Sequence, residues 1–101
     1  MYIERNVFQL KFGAGRQSLE MWKEYLTHVQ QDDDQIHVRL LTDVSGKGYT
    51  LIFEQSFSAF AEAEPSKCRL VNRSDWKEFY TKFIPLCESS ERTYYKLQIG
   101  F

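Results

Sequence analysis

Residues 7–12, Val7-Phe8-Gln9-Leu10-Lys11-Phe12, alternate with period two: Phe8, Leu10 and Phe12 share one face, and Val7, Gln9 and Lys11 the other. A strand from Ile3 to Phe12 follows, broken by Gly13-Ala14-Gly15. The period then changes. Leu19, Trp22, Leu26 and Val29 recur at helical spacing and predict a helix over Arg16–Gln31. Asp32-Asp33-Asp34 ends it as a solvated loop, because negative charge is unfavourable at a helix C-terminus.

Period two returns over Gln35–Val44 and again over Tyr49–Phe57, with Ser45-Gly46-Lys47-Gly48 between them. Gly46 suits the first central position of a type II′ hairpin turn. That turn sets Val44 opposite Tyr49, Thr42 opposite Leu51, Leu40 opposite Phe53 and Arg39 opposite Glu54. Residues 58–64 read as a short helical segment stopped by Pro65, and Pro65–Arg73 as a loop. A second helix begins near Ser74, capped by Ser74 or Asn72, and carries the stripe Trp76, Phe79, Tyr80 and Phe83 up to Pro85. A last strand spans Arg92–Phe101.

The order is βαββαβ, and 101 residues make one domain, 1–101. Two amphipathic helices over an antiparallel sheet give a two-layer α+β domain. Phe8, Leu10, Phe12, Ile36, Val38, Leu40, Leu51, Phe53, Leu97 and Ile99 are expected under the helices. The other face collects Val7, Gln9, Lys11, His37, Arg39, Leu41, Ile52, Glu54, Tyr94, Lys96 and Gln98. No further element covers that mixed face, so either it stays in water or a second copy of the chain covers it.

A formal charge of −1 with scattered basic residues gives no field for nucleic acid or an anionic membrane. Glu4 and Arg5 place charge where a secretory apolar segment would begin, and no apolar run approaches the ~20 residues of a membrane span. With two cysteines, Cys68 and Cys87, the expectation is a reducing, cytoplasmic setting without a disulfide.

In texture the chain resembles the dimeric α+β barrel superfamily, and within it NIPSNAP-type small proteins. The residues carrying the resemblance are Val7 to Gly13 with Gly15-Arg16, and Trp22-Lys23-Glu24-Tyr25. Further on they are Arg39 to Asp43 with Ser45-Gly46, Tyr49-Thr50-Leu51, and the string Trp76 to Leu86. The resemblance implies a ferredoxin-like βαββαβ sandwich, and a homodimer whose open sheet faces meet to enclose a barrel. It also implies a range of activities: cofactor-free monooxygenases, haem degraders, muconolactone-isomerase-like enzymes and proteins without known catalysis. Haem degraders share a strand-one Asn, a Trp and a helix-two His. Asn6 and Trp76 are present here, but Ser74–Glu88 holds no His, so haem is not expected.

Candidate chemistry is sparse. His37 is the better placed histidine for proton transfer. Arg39 suits bidentate binding of a carboxylate or enolate, beside Glu54 and Asp43. Tyr94 and Tyr80 supply aromatic walls. His37, Arg39 and Tyr94 are thus the catalytic candidates, and Glu54, Asp43 and Tyr80 the substrate-binding ones. No metal-ligand spacing is present, and no cofactor is expected. Gly13-Ala14-Gly15-Arg16 has Ser18 where a dinucleotide motif needs its third glycine. The two functional expectations are a small-molecule pocket with monooxygenase- or isomerase-like activity, between helices and sheet or inside the barrel, and a non-catalytic dimerising module.

Overall fold

Strand β1 (Tyr2–Leu10) lies at the centre of a four-stranded sheet, and its alternation divides the molecule into two faces. The computed structural model describes residues 1–101. After β1 come helix α1 (Gly15–Asp32), strands β2 (His37–Thr42) and β3 (Thr50–Phe57), and a 3-10 turn at Phe60–Ala63. Helix α2 (Trp76–Phe83), a 3-10 turn at Ile84–Leu86 and strand β4 (Cys87–Lys96) complete the chain. The sheet order is β2-β3-β1-β4 with every pairing antiparallel. This is the ferredoxin-like α+β architecture.

Under the helices the sheet presents Phe8, Leu10, Leu51 and Phe53, which are buried. Helix α1 lays Ser18, Trp22, Leu26 and Val29 on them, so Ser18 takes the fully buried position and Leu19 is only half-buried. Trp22 is the hub. Its ring meets Phe53 at 4.6 Å, Phe79 at 4.8 Å and Phe83 at 5.2 Å, the last two edge to face. Its indole N–H has no acceptor, so its stabilisation comes from ring packing alone.

The hairpin register is the expected one from Arg39↔Glu54 to Thr42↔Leu51. The expected pairing of Val44 with Tyr49 fails: Val44 is fully exposed and Tyr49 has φ of 56°. Tyr49 is drawn instead to the turn after β1. There its ring packs on Phe12 at 5.2 Å and its carbonyl accepts the Leu10 N–H at 2.8 Å. The ring lies 3.4 Å from where a Cβ on Gly15 would stand, so that glycine admits it. Asp43 then supplies its carboxylate oxygen to the Thr50 N–H at 3.0 Å.

The last strand departs most from expectation. It runs Cys87–Lys96 instead of Arg92–Phe101, because the chain leaves the Ile84–Leu86 turn directly beside Leu10. At its far end the Leu97 N–H donates to the Met1 carbonyl at 2.9 Å. Leu97 and Ile99, expected in the core, are exposed, and so is Phe12. The shift also reverses faces. Ser90, Arg92 and Tyr94 pair with Phe8, Asn6 and Glu4 on the helix side, and Lys96 pairs with Tyr2 on that same side. Tyr94 and Lys96 were expected on the open face.

Asn72 and Ser74 do not cap α2. The Asn72 amide donates to the carbonyls of Pro65 and Cys68, both at 2.8 Å, and so ties up the preceding loop. Nor is the acidic run simply solvated. Arg73 bonds Asp32 at 2.9 Å and grips Asp75 with two nitrogens, while Arg69 bonds Asp33 at 2.9 Å. These guanidiniums neutralise the C-terminal end of α1 and anchor the loop to it. The Arg73 bonds hold the Asp75 carboxyl below the usual carboxylate range.

Trp22→Ala removes the ring on which Phe8, Phe53, Phe79 and Phe83 converge, and is expected to lower unfolding free energy by about 3–5 kcal/mol in urea titration.

Candidate functional site

Two groups of polar side chains stand on the sheet, one on each face. On the helix side, β1 continues the parity of Phe8 and Leu10 into Asn6 and Glu4, and β3 continues that of Leu51 and Phe53 into Gln55. All three polar residues are buried. A buried carboxylate needs partners, and these are at hand. The Asn6 amide donates to Glu4 Oε1 at 2.8 Å, and Gln55 Nε2 approaches the same oxygen at 3.5 Å. Arg92 Nε donates to Asn6 Oδ1 at 2.8 Å. Asn6 therefore relays between a guanidinium and a carboxylate.

Around this chain lies a cavity of about 60 Å³. The sheet residues Glu4, Asn6, Gln55, Arg92 and Tyr94 form its floor, and Trp76 and Tyr80 of α2 its wall. Trp76 and Tyr80 stack on each other at 5.0 Å. Phe60 stands edge-on to Tyr94 at 5.4 Å. Burial raises the Tyr80 phenol, against a lowering effect from Arg92. Burial also raises the Tyr94 phenol, and the neighbouring Glu4 carboxylate adds to the rise. Both hydroxyls hold their protons at neutral pH and are available as donors. Burial pushes the Cys87 thiol, which lies outside this cavity, up to about 11, so it is protonated at neutral pH. No group of three or more His, Cys, Asp or Glu side chains is arranged to hold a metal.

On the open face the row Arg39–Glu54–Arg5 crosses three strands. Arg5 Nε meets Glu54 Oε2 at 2.6 Å, and Arg39 Nε meets Glu54 Oε1 at 2.9 Å. Glu54 is 1 % exposed although no helix covers it, because the two guanidiniums close over it. Burial alone would raise its carboxyl, but hydrogen bonds from Arg39 and Arg5 outweigh that and hold it below the usual range. Tyr95, in the neighbouring row on this face, lies 5.2 Å under the Arg5 guanidinium.

No protein-family model matches the chain, and neither does any curated protein. Solved structures do. A NIPSNAP domain protein from Burkholderia xenovorans superposes with a TM-score of 0.78 at 16% identity, over 96% of this chain and 94% of that one. A NIPSNAP family protein of unknown function from Agrobacterium tumefaciens gives 0.77 at 20% identity, over 96% and 87%. An antibiotic-biosynthesis-monooxygenase-like protein from Nitrosomonas europaea gives 0.74 at 9% identity, over 98% and 100%. The chain has the ferredoxin-like fold of these proteins.

Within this NIPSNAP-like fold the sequence-derived candidates divide. His37, Arg39 and Glu54 share the open face, with His37 exposed at the start of β2. Asp43 lies past the end of β2, its carboxylate occupied by the Thr50 N–H. Tyr94 and Tyr80 lie together on the helix side. The sheet thus separates Tyr94 from Arg39 and His37, correcting the expectation of one shared cluster. Glu4, Asn6, Gln55 and Arg92 were missed. A readable signal existed for three of them: Glu4 and Asn6 have the parity of Phe8, and Gln55 that of Phe53. Carboxylates and amides on a core parity mark either a polar network or a site.

Glu54→Gln keeps the shape but weakens three charge-assisted bonds from two guanidiniums, and is expected to lower stability by about 1.5–3 kcal/mol at neutral pH. Because the folded carboxyl titrates below the unfolded one, this contribution is present above the unfolded pKa. It is lost as pH falls through the depressed folded value. Denaturation curves from pH 7 to 3 should therefore show wild type and variant converging at the acid end.

Proposed function

We propose that the protein is a homodimer that binds a small conjugated carbonyl compound in the groove between the sheet and α2, and moves a proton on it without a cofactor. The carrying observation is the convergence of Glu4, Asn6, Arg92, Tyr80 and Tyr94 on one cavity with an aromatic wall. About 60 Å³ has room for a reacting carbonyl end and not for a whole ligand, since full ligand sites run to ~300 Å³ or more. The ring or conjugated tail of the ligand would then rest at the mouth, against Trp76, Tyr80 and Tyr94.

Glu4 is the general base in this reading. Its amide partners converge on Oε1, which leaves Oε2 free of amide donors. Loss of a proton from the carbon beside the carbonyl creates an enolate, which the Arg92 guanidinium and the Tyr94 hydroxyl stabilise. Returning the proton at another carbon isomerises the substrate, while dioxygen as co-reactant would oxygenate the same enolate. The antibiotic-biosynthesis-monooxygenase-like fold neighbours are compatible with the second outcome. The dimer is supported by the open face, where Leu41 is 40% exposed next to the Ile52–Val7 row. A cytoplasmic setting belongs to the same reading, supported by two free thiols.

A second reading, a non-catalytic dimerising module, draws on the open face itself. There Glu54 is already saturated by Arg5 and Arg39, so His37, Arg39 and Glu54 would serve the subunit contact and leave no site inside the barrel.

Phenylpyruvate, an anionic and enolisable aryl carbonyl, separates the two. Catalysis should appear as saturable acceleration of keto–enol interconversion in the ultraviolet. Glu4→Gln should then lower kcat by about 10²–10⁴-fold, and Arg92→Met, which removes an enolate stabiliser, should lower kcat as well. A wild-type rate equal to buffer, with no ligand-induced shift of the Trp76 indole resonance, would refute the groove assignment.

A further inference from the structure

A cavity of about 620 Å³ lies outside the groove, where the end of β3 and the start of β2 meet the loop that precedes α2. That volume falls within the ~300–1,000 Å³ usual for sites that hold a whole small molecule. Its apolar lining belongs to the core: Ile36, Phe57 and Leu70 are all buried. Its charged lining is uneven, with Lys67 and Arg69 set against one carboxylate, Glu62. Both cations have donors to spare. Arg69 turns its Nε and Nη2 to a single oxygen of Asp33, at 2.9 and 2.8 Å, which fixes the guanidinium and leaves Nη1 free. Lys67 meets Glu64 only at 3.9 Å, beyond hydrogen-bond reach.

Gln55 is a separate observation pointing the same way. It is 4% exposed and is the one residue that lines both this cavity and the groove. A buried amide needs good hydrogen bonds, and Gln55 has poor ones. Its Nε2 is 3.5 Å from Glu4 Oε1, and its Oε1 accepts only from the Cys68 thiol, a weak donor, at 3.6 Å. We infer that this cavity binds a small organic anion, with its carboxylate on Arg69 and Lys67 and an apolar body against Ile36, Phe57 and Leu70. The planar guanidinium, pinned by Asp33, offers the carboxylate paired donors, and Lys67 adds a point charge. Glu62 opposes a second negative charge, so a monoanion is favoured over a dianion. An oxygen of the ligand completes the Gln55 amide. The site stands apart from the homodimer and from any chemistry in the groove.

The test uses 4-phenylbutyrate, a monoanionic carboxylate on an apolar body with no ketone to react in the groove. Its primary amide, 4-phenylbutanamide, is the uncharged control. Affinity is measured by calorimetry, and occupancy by the side-chain amide resonance of Gln55. The result expected is saturable binding that shifts that resonance, with the amide at least about tenfold weaker. Arg69→Met and Lys67→Met should each weaken binding by about tenfold, and Glu62→Gln should tighten it about two- to fivefold. Arg92→Met, in the groove, should leave it unchanged. Lys67→Met keeps the Arg69–Asp33 anchor of the loop, so it carries the test where Arg69→Met fails to fold. Absence of saturation, equal affinity for the amide, indifference to Lys67→Met and Glu62→Gln, or loss of binding in Arg92→Met overturns the inference.

Discussion

Glu4 is a carboxylate placed on the buried side of a central strand, and much of the molecule is arranged around accommodating it. A bare charge there would be expensive, so the neighbouring positions on the same face are polar. Asn6 and Gln55 donate to its Oε1, and Arg92 is held by Asn6. That requirement explains why the β4 positions facing the helices are Arg92 and Tyr94 and are not aliphatic. The helix-side face is therefore two regions in series. Phe8, Leu51, Phe53 and Trp22 make a dry aromatic core at one end, and Glu4, Asn6 and Gln55 make a polar floor at the other. Stability resides in the first and the proposed chemistry in the second.

The open face shows how a charge is buried without a helix. Glu54 is closed over by Arg5 and Arg39, whose own outer surfaces remain in solvent. A paired carboxylate of this kind gives a flat, internally neutralised patch flanked by Val7, Leu41 and Ile52. Such a patch suits contact with another copy better than capture of an anion, because Glu54 already engages both guanidiniums.

The fold was largely legible because turn and alternation gave one answer in the hairpin, where Arg39 to Thr42 pair with Glu54 to Leu51 as read. The errors have physical causes. Leu97 and Ile99 alternate like core residues, yet they lie past the end of the β1–β4 ladder, whose last pair is Tyr2↔Lys96. Once β4 began at Cys87, its parity reversed and carried Tyr94 to the helix side. Tyr49 left the hairpin because Phe12 and the Gly15 turn offered it packing. Of the groove, Tyr80 and Tyr94 were legible as aromatic walls. Glu4, Asn6 and Gln55 share the parity of Phe8 and Phe53, but parity marks a buried face without saying which polar residues on it form a site. Arg92 gave no such signal, since its face depended on the start of β4.

The most direct measurement is a crystal structure of the protein soaked with phenylpyruvate. Difference density with a carbonyl oxygen within hydrogen-bonding distance of Arg92 or Tyr94, and the adjacent carbon facing Glu4, is the predicted result. Density on the open face beside Arg39, with the groove unchanged, would contradict the division of the sheet into a ligand side and a subunit side.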